Sequence, residues 1–174
     1  RGRPRSLILA PTRELAEQTF EFLNPFCRKT GLRAVTVYGG VSKSAQVSRI
    51  RSGVDIIVAC PGRLLDLVND RAGNLSHIQS LVLDEGDRML DMGFMPDIRR
   101  ILELLPAKRQ NMLFSATMPA DIRHLAKEIM HDPAWVQVDH EQPLSNISQC
   151  LYQVQRMPKT QMLIALLTEK KDEA

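Results

Sequence analysis

Short apolar runs recur along this chain, separated by longer amphipathic stretches, and this alternation constrains the fold more than any other feature. The runs are Leu7–Ala10, Ala34–Tyr38, Asp55–Ala59, Leu81–Leu83, Met112–Phe114 and Trp135–Val138. Each is too short for a stable helix and reads as a buried strand. Between them lie helical patterns. Leu15, Thr19, Phe22 and Phe26 recur at spacings of three and four, which predicts one apolar face on a first helix. Leu64, Leu65 and Val68 mark a second helix starting near Arg63. Ile98, Ile101, Leu102 and Leu105 mark a third that stops at Pro106, and Ile122, Leu125, Ala126 and Ile129 a fourth after Pro119. Strand and helix in alternation predict an α/β fold, a parallel sheet flanked by helices on both faces.

Composition narrows the class. The 174 residues allow one domain and a remainder, and 44% hydrophobic with 25% charged residues is the balance of a soluble globular protein. No run approaches a membrane span, and no signal-peptide pattern is present. A net charge of +3 does not by itself announce nucleic acid. Cys27, Cys60 and Cys150 are far apart and in no metal spacing, so a cytoplasmic location is expected. The polar, Pro-containing stretch Asp139–Ile147 predicts a boundary: a first domain over 1–139, a linker over 140–147, and the start of a second domain over 148–174. Within that last piece a strand over Gln149–Gln155 and a helix over Lys159–Leu167 are expected. The chain begins with Arg1 and opens almost directly into a strand, so a fragment of a longer protein is expected.

The run Leu81-Val82-Leu83 ends in Asp84-Glu85-Gly86-Asp87, three carboxylates in four positions. Ligands of open α/β sheets sit outside the carboxyl ends of the strands. A hydrophobic strand ending in Asp is one way to hold Mg²⁺ beside a triphosphate. Acids at the start of the next helix also complement its dipole, and both readings are open at this point.

Four further segments follow strands. In Pro11-Thr12-Arg13, Thr12 can cap a helix whose free N–H groups, with Arg13, suit an anion. Gly39-Gly40 allows close approach of a ligand or makes a turn. Cys60-Pro61-Gly62-Arg63 opens a helix, with Arg63 able to reach a phosphate. Parallel strands would bring these three turns to one edge of the sheet as a phosphate-binding surface. Ser115-Ala116-Thr117 offers two hydroxyls to a carboxylate, Asp87 if the strands are neighbours, or else makes a turn before the next helix.

In this order, Pro-Thr-Arg-Glu-Leu, Gly-Gly, Pro-Gly-Arg, Asp-Glu-x-Asp and Ser-Ala-Thr resemble the DEAD-box family of ATP-dependent RNA helicases, from roughly Leu7 onward. The resemblance implies a RecA-like P-loop NTPase domain lacking its N-terminal P-loop segment, with ATP and Mg²⁺ as cofactors. It implies that Asp84 holds Mg²⁺ through water and that Glu85 polarises the attacking water, with Asp87 also at the nucleotide. Asp87, Ser115 and Thr117 would couple that site to RNA. Pro11, Thr12, Arg13, Gly39, Gly40, Pro61, Gly62 and Arg63 would line the RNA backbone without reading sequence, on a single strand or short duplex.

The sequence departs from the family pattern. Gly86 stands where Ala is usual, at a backbone cost of roughly 0.5–1 kcal/mol. Gly86→Ala is therefore expected to leave the parent's ATPase unchanged or raise it. Cys60 replaces the usual Thr, and no Gly-x-x-x-x-Gly-Lys-Ser/Thr loop is present. This chain alone is therefore expected to bind RNA weakly and salt-dependently and to hydrolyse no ATP at a useful rate. The same departures support another reading, a non-enzymatic RNA clamp or partner-docking module, and a DNA-directed relative on the same fold is a third.

Overall fold

The computed structural model describes residues 3–138, 150–152 and 159–169. The chain divides into two compact units, Arg1–Pro133 and Ala134–Ala174. The first holds β1 (Ser6–Leu9), α1 (Arg13–Thr30), β2 (Ala34–Val37), α2 (Lys43–Arg51), β3 (Ile56–Ala59) and α3 (Pro61–Asn69). It continues with β4 (Ser80–Leu83), α4 (Gly86–Asp91), α5 (Met95–Glu103), β5 (Gln110–Leu113) and α6 (Ala120–Ile129). The five strands form one parallel sheet in the order β2-β3-β1-β4-β5.

Alternation along the strands explains why both faces are covered. Leu7, Leu9, Ile57, Ala59, Leu81 and Leu83 enter the larger core with Leu64 and Leu67 of α3, Ile98 and Ile101 of α5, and Leu125 of α6. Ile8, Ile56 and Val58 face the other way, against Ala16, Phe20 and Leu23 of α1. The predicted α/β class, a parallel sheet flanked by helices, is the observed one.

Two expectations need correction, and one helix was not expected. The buried stripe of α1 is not Leu15–Thr19–Phe22–Phe26. Ala16 and Cys27 are buried, Phe20 and Leu23 pack beside them, and Phe22 and Phe26 are exposed. Two periodic stripes lie one residue apart on this helix. The one with the small Ala16 at its start lets the helix approach the sheet. Trp135–Val138 forms no strand: it has no ladder partner among the described residues, and Trp135, Val136 and Val138 are exposed. The second helix in chain order, α2, was not foreseen, because only Gln46 and Ile50 are buried along Lys43–Arg51 and no apolar stripe announces it.

In the second unit, α7 (Lys159–Glu169) matches the predicted helix, and Leu163, Ile164 and Leu167 on it are exposed. The expected linker lies outside the described residues, as do four of the seven residues of the strand expected over Gln149–Gln155; the other three, Cys150, Leu151 and Tyr152, are exposed and form no strand.

Candidate nucleotide and nucleic-acid site

Strand order decides which predicted residues meet. Because β2, β3 and β1 are adjacent, the turns that follow them lie side by side on the carboxyl edge of the sheet. Thr12 caps α1: its backbone is extended and its Oγ1 accepts from the Leu15 N–H at 3.3 Å. Arg13 is exposed, with its guanidinium 5.1 Å from the centre of the Tyr38 ring, a cation–π contact. The Tyr38 hydroxyl donates to Glu17 Oε1 at 2.5 Å. That bond and then burial raise the Tyr38 pKa.

Arg63 reaches across this edge. Its Nη1 donates to the Val41 carbonyl at 3.2 Å and its Nε lies 3.8 Å from Asp66. It thus ties the loop after Gly39-Gly40 to the start of α3. A Cβ at Gly39 or Gly40 would meet nothing within 4 Å, so the main chain there stands open. Gly40 has φ +80°, which favours glycine; Gly39 has no such need. Gly62 is half-buried, with Asp97 Oδ2 the nearest atom to a Cβ there, at 3.8 Å. Pro11 and Pro61 are buried, so they shape their turns rather than present a surface. Gln46 also meets this edge: its Nε2 donates to the Tyr38 carbonyl at 3.0 Å, while its Oε1 is buried without a donor. Cys60 occupies the cap position of α3 without making a cap bond. Burial, and then the charge of Glu14, push its thiol up to about 11.

The acidic box follows β4. Asp84 is half-buried; burial raises its pKa, the Glu85 charge adds to this, and the Glu85 N–H, 3.1 Å from Asp84 Oδ1, opposes it. No Lys or Arg among the described residues lies within salt-bridge distance of it. Glu85 has φ 50° and ψ 55°, a left-handed backbone unusual for a side-chain-bearing residue. The strand has already ended at Leu83, so this turn, rather than strand alternation, is what separates the two acids. Arg88 Nη1 lies 3.2 Å from Glu85 Oε2.

Asp87 is held differently. Its N–H donates to Ser115 Oγ at 3.0 Å, and the Thr117 N–H and Oγ1 both donate to its Oδ2 at 2.8 Å. Ser115 Oγ in turn donates to the Thr117 carbonyl at 2.7 Å. Pairing of β4 with β5 makes these contacts possible, and the Gly86 N–H adds a bond to the Phe114 carbonyl at 3.0 Å. Desolvation is the largest single influence on Asp87 and acts upward. The hydrogen bonds of Thr117, Ser115 and the Arg88 N–H together outweigh it, so its pKa is lowered.

The family model for the DEAD/DEAH box helicase matches residues 1–125. The chain belongs to this helicase family. It is 43% identical over 170 residues to the ATP-dependent RNA helicase RhlB of Vibrio cholerae, covering 96% of this chain and 39% of that protein. It is 47% identical over 140 residues to the ATP-dependent RNA helicase DBP3 of Lodderomyces elongisporus, covering 80% of this chain and 26% of that protein. A solved structure of a hypothetical ATP-dependent RNA helicase from Sulfolobus tokodaii superposes with a TM-score of 0.70 at 39% identity, covering 74% of this chain and 39% of that one. The chain therefore carries the RecA-like helicase fold and spans about two fifths of the length of its bacterial relatives.

Sequence reasoning missed Arg88, Tyr38, Glu17 and Gln46. Arg88 was findable, three residues after Glu85 on a helix. The pairing of Tyr38 with Glu17 joins residues 21 apart and has no local signature.

Proposed function

We propose that this chain is the part of an ATP-dependent RNA helicase that couples the ATP-hydrolysing centre to an RNA-binding edge. The observation that carries the reading is the Thr117–Asp87 pair of bonds at 2.8 Å, which ties the strand end bearing Asp84 and Glu85 to the next strand. The residues fit Mg²⁺. Asp84 is a desolvated carboxylate without a cationic partner, and no cluster of three ligating side chains exists among the described residues. Mg²⁺ typically keeps several waters and takes one or two carboxylates plus phosphates, which needs no such cluster. When bound, the metal would neutralise charge on the phosphate oxygens of ATP.

Asp84 would hold the metal through water, and Glu85, turned away by its left-handed backbone, would orient the attacking water. Asp87 would pass the state of that site to Ser115 and Thr117. Thr12, Arg13, Gly39, Gly40, Gly62 and Arg63 would contact the RNA backbone without reading sequence, on turns set by Pro11 and Pro61. Three free cysteines, with no helix among the described residues long and apolar enough to cross a membrane, support a cytoplasmic setting.

The test is RNA-stimulated ATPase of the full-length parent with Glu85→Gln. The expected result is a loss of at least about a hundredfold in kcat, the scale of a removed general base. Unchanged turnover would refute the role of Glu85.

A further inference from the structure

The opposite edge of the same sheet carries an unexplained charge. Arg5, Arg28, Lys29, Arg33, Arg49 and Arg51 are all exposed, in the segments that end α1 and α2 and lead into β1, β2 and β3. These are the three adjacent strands at one side of the sheet. Asp55 is the single carboxylate in these segments, which leaves five uncompensated positive charges in a chain whose total is +3. The carboxyl ends of α1 and α2 each present about half a negative charge, so together they offset only about one.

Hydrogen bonds and one ion pair join part of this set directly, through Asp55 and the Ser52 carbonyl. The Arg33 N–H donates to Asp55 Oδ2 at 3.0 Å, and Arg5 Nη2 lies 3.7 Å from Asp55 Oδ1. Arg33 Nη1 donates to the Ser52 carbonyl, beside Arg51, at 2.9 Å. The Leu32 N–H donates to the Cys27 carbonyl at 3.1 Å, closing the last turn of α1, which carries Arg28 and Lys29, just before Arg33. Arg28, Lys29, Arg49 and Arg51 have no carboxylate within 4 Å among the described residues.

Two aromatic rings lie on α1, which also carries Arg28 and Lys29. Phe22 is 72% exposed and Phe26 58%, with ring centroids 5.7 Å apart. Phe22, Phe26 and Lys29 follow at spacings of four and three, so they share one helix face. Exposed rings on the same helix face as an unpaired Lys29, with further cations at the adjoining sheet edge, supply the two components of a single-strand binder: bases stack on the rings and phosphates meet the cations. Charge complementarity and the ring pair together favour a polyanion that carries stacking bases, and the peptide arm of the experiment below tests an acidic protein surface instead.

We propose that this amino-terminal edge, with Phe22 and Phe26, is a second single-stranded RNA contact, on the opposite edge of the sheet from Arg13 and Arg63. It rests on the RNA reading above for its ligand class alone.

The experiment titrates this chain with a fluorescein-labelled oligouridine of about 20 nucleotides, by anisotropy at several salt concentrations. Phe22→Ala/Phe26→Ala is expected to weaken binding about tenfold, and to have no effect on an abasic phosphodiester of equal length. Arg28→Glu/Lys29→Glu is expected to weaken both ligands and to lower the salt slope by about 0.7 for each phosphate no longer neutralised. Both variants alter exposed side chains, and melting temperatures close to that of the unaltered chain confirm the fold. A fall in affinity confined to Arg13→Ala/Arg63→Ala overturns the second contact and leaves the first. Absence of RNA binding by the unaltered chain overturns both. A poly-glutamate peptide that binds more tightly than oligouridine at equal salt, through Arg28 and Lys29, overturns RNA as the occupant.

Discussion

Replacing Gly86 with alanine tests how the acidic box is packed. Gly86 is buried at the start of α4 and its φ is not positive, so its backbone accepts alanine. A Cβ there would lie 2.9 Å from Leu113 Cδ1, 3.7 Å from the Phe114 carbonyl oxygen and 3.8 Å from Ile122 Cδ1. Alanine gains about 0.5–1 kcal/mol from reduced backbone entropy. Inserting a methyl into a packed site costs about 1–3 kcal/mol, here toward the lower end because the obstacle is the tip of a half-buried leucine. The two terms nearly cancel, so Gly86→Ala is expected to destabilise the chain by no more than about 0.5 kcal/mol although the collision alone costs about 1 kcal/mol. Leu113→Val removes the colliding atom and costs up to about 0.8 kcal/mol for the lost methylene. In the double variant the collision is absent, so the two changes should couple favourably by about 1 kcal/mol. Urea unfolding followed by circular dichroism measures all four proteins, provided the m-values agree. Additivity within about 0.5 kcal/mol, or a Gly86→Ala single variant stabilised by the full entropic gain of about 0.5–1 kcal/mol, would refute the packing argument. The glycine that looks from sequence like a loss of rigidity is better read as half of a volume exchange with Leu113.

Other outcomes follow from the same geometry. Cys60→Thr restores a hydroxyl at the extended cap position of α3 and should stabilise the chain by about 1 kcal/mol in the same unfolding assay. With its thiol near 11, Cys60 should resist iodoacetamide at about pH 8 while exposed Cys150 reacts, as peptide mapping will show. Asp84 and Asp87 should differ in sign. The raised pKa of Asp84 means its charge opposes folding above about pH 4, so Asp84→Asn should raise the melting temperature at neutral pH and lose that advantage as pH falls through about 4. The lowered pKa of Asp87 means its charge favours folding above that pH, so Asp87→Asn should lower the melting temperature at neutral pH, with the gap closing as the medium is acidified below about 4. Equal effects of the two substitutions would contradict the assignment.

The strands were legible because each buried run is short and bounded by polar or turn residues, and all five in the sheet fall within two residues of the expected limits. Parallel pairing then followed from the intervening helices. The meeting of Asp87 with Ser115 and Thr117 was legible only conditionally, since it required β4 and β5 to be neighbours. What failed was side-chain facing. On α1 two apolar stripes compete, and which one the sheet accepts depends on the size of Ala16, a tertiary fact absent from periodicity. In α2 burial is carried by Gln46 and Ile50 alone, so no periodic signal exists. Trp135–Val138 shows the opposite failure: strand-forming residues make no strand without an edge to pair with.

The three acids of the box separate into two physical kinds, which bears on the metal-holding role proposed above for Asp84. Asp87 has its needs met inside the chain, by two bonds from Thr117 and by the Arg88 N–H. Such a group gains nothing from a metal and acts best as a latch between strands. Asp84 is desolvated with no cation near it, and Glu85 sits in a left-handed conformation that costs about 1–3 kcal/mol. Both lower the stability of a fold that a less acidic strand end would serve better. Costs of this sort persist at functional sites, where a bound ligand offsets them. The strand end at Asp84 and Glu85 is thus suited to face a cation, while Asp87 is suited to hold β5 in register with it.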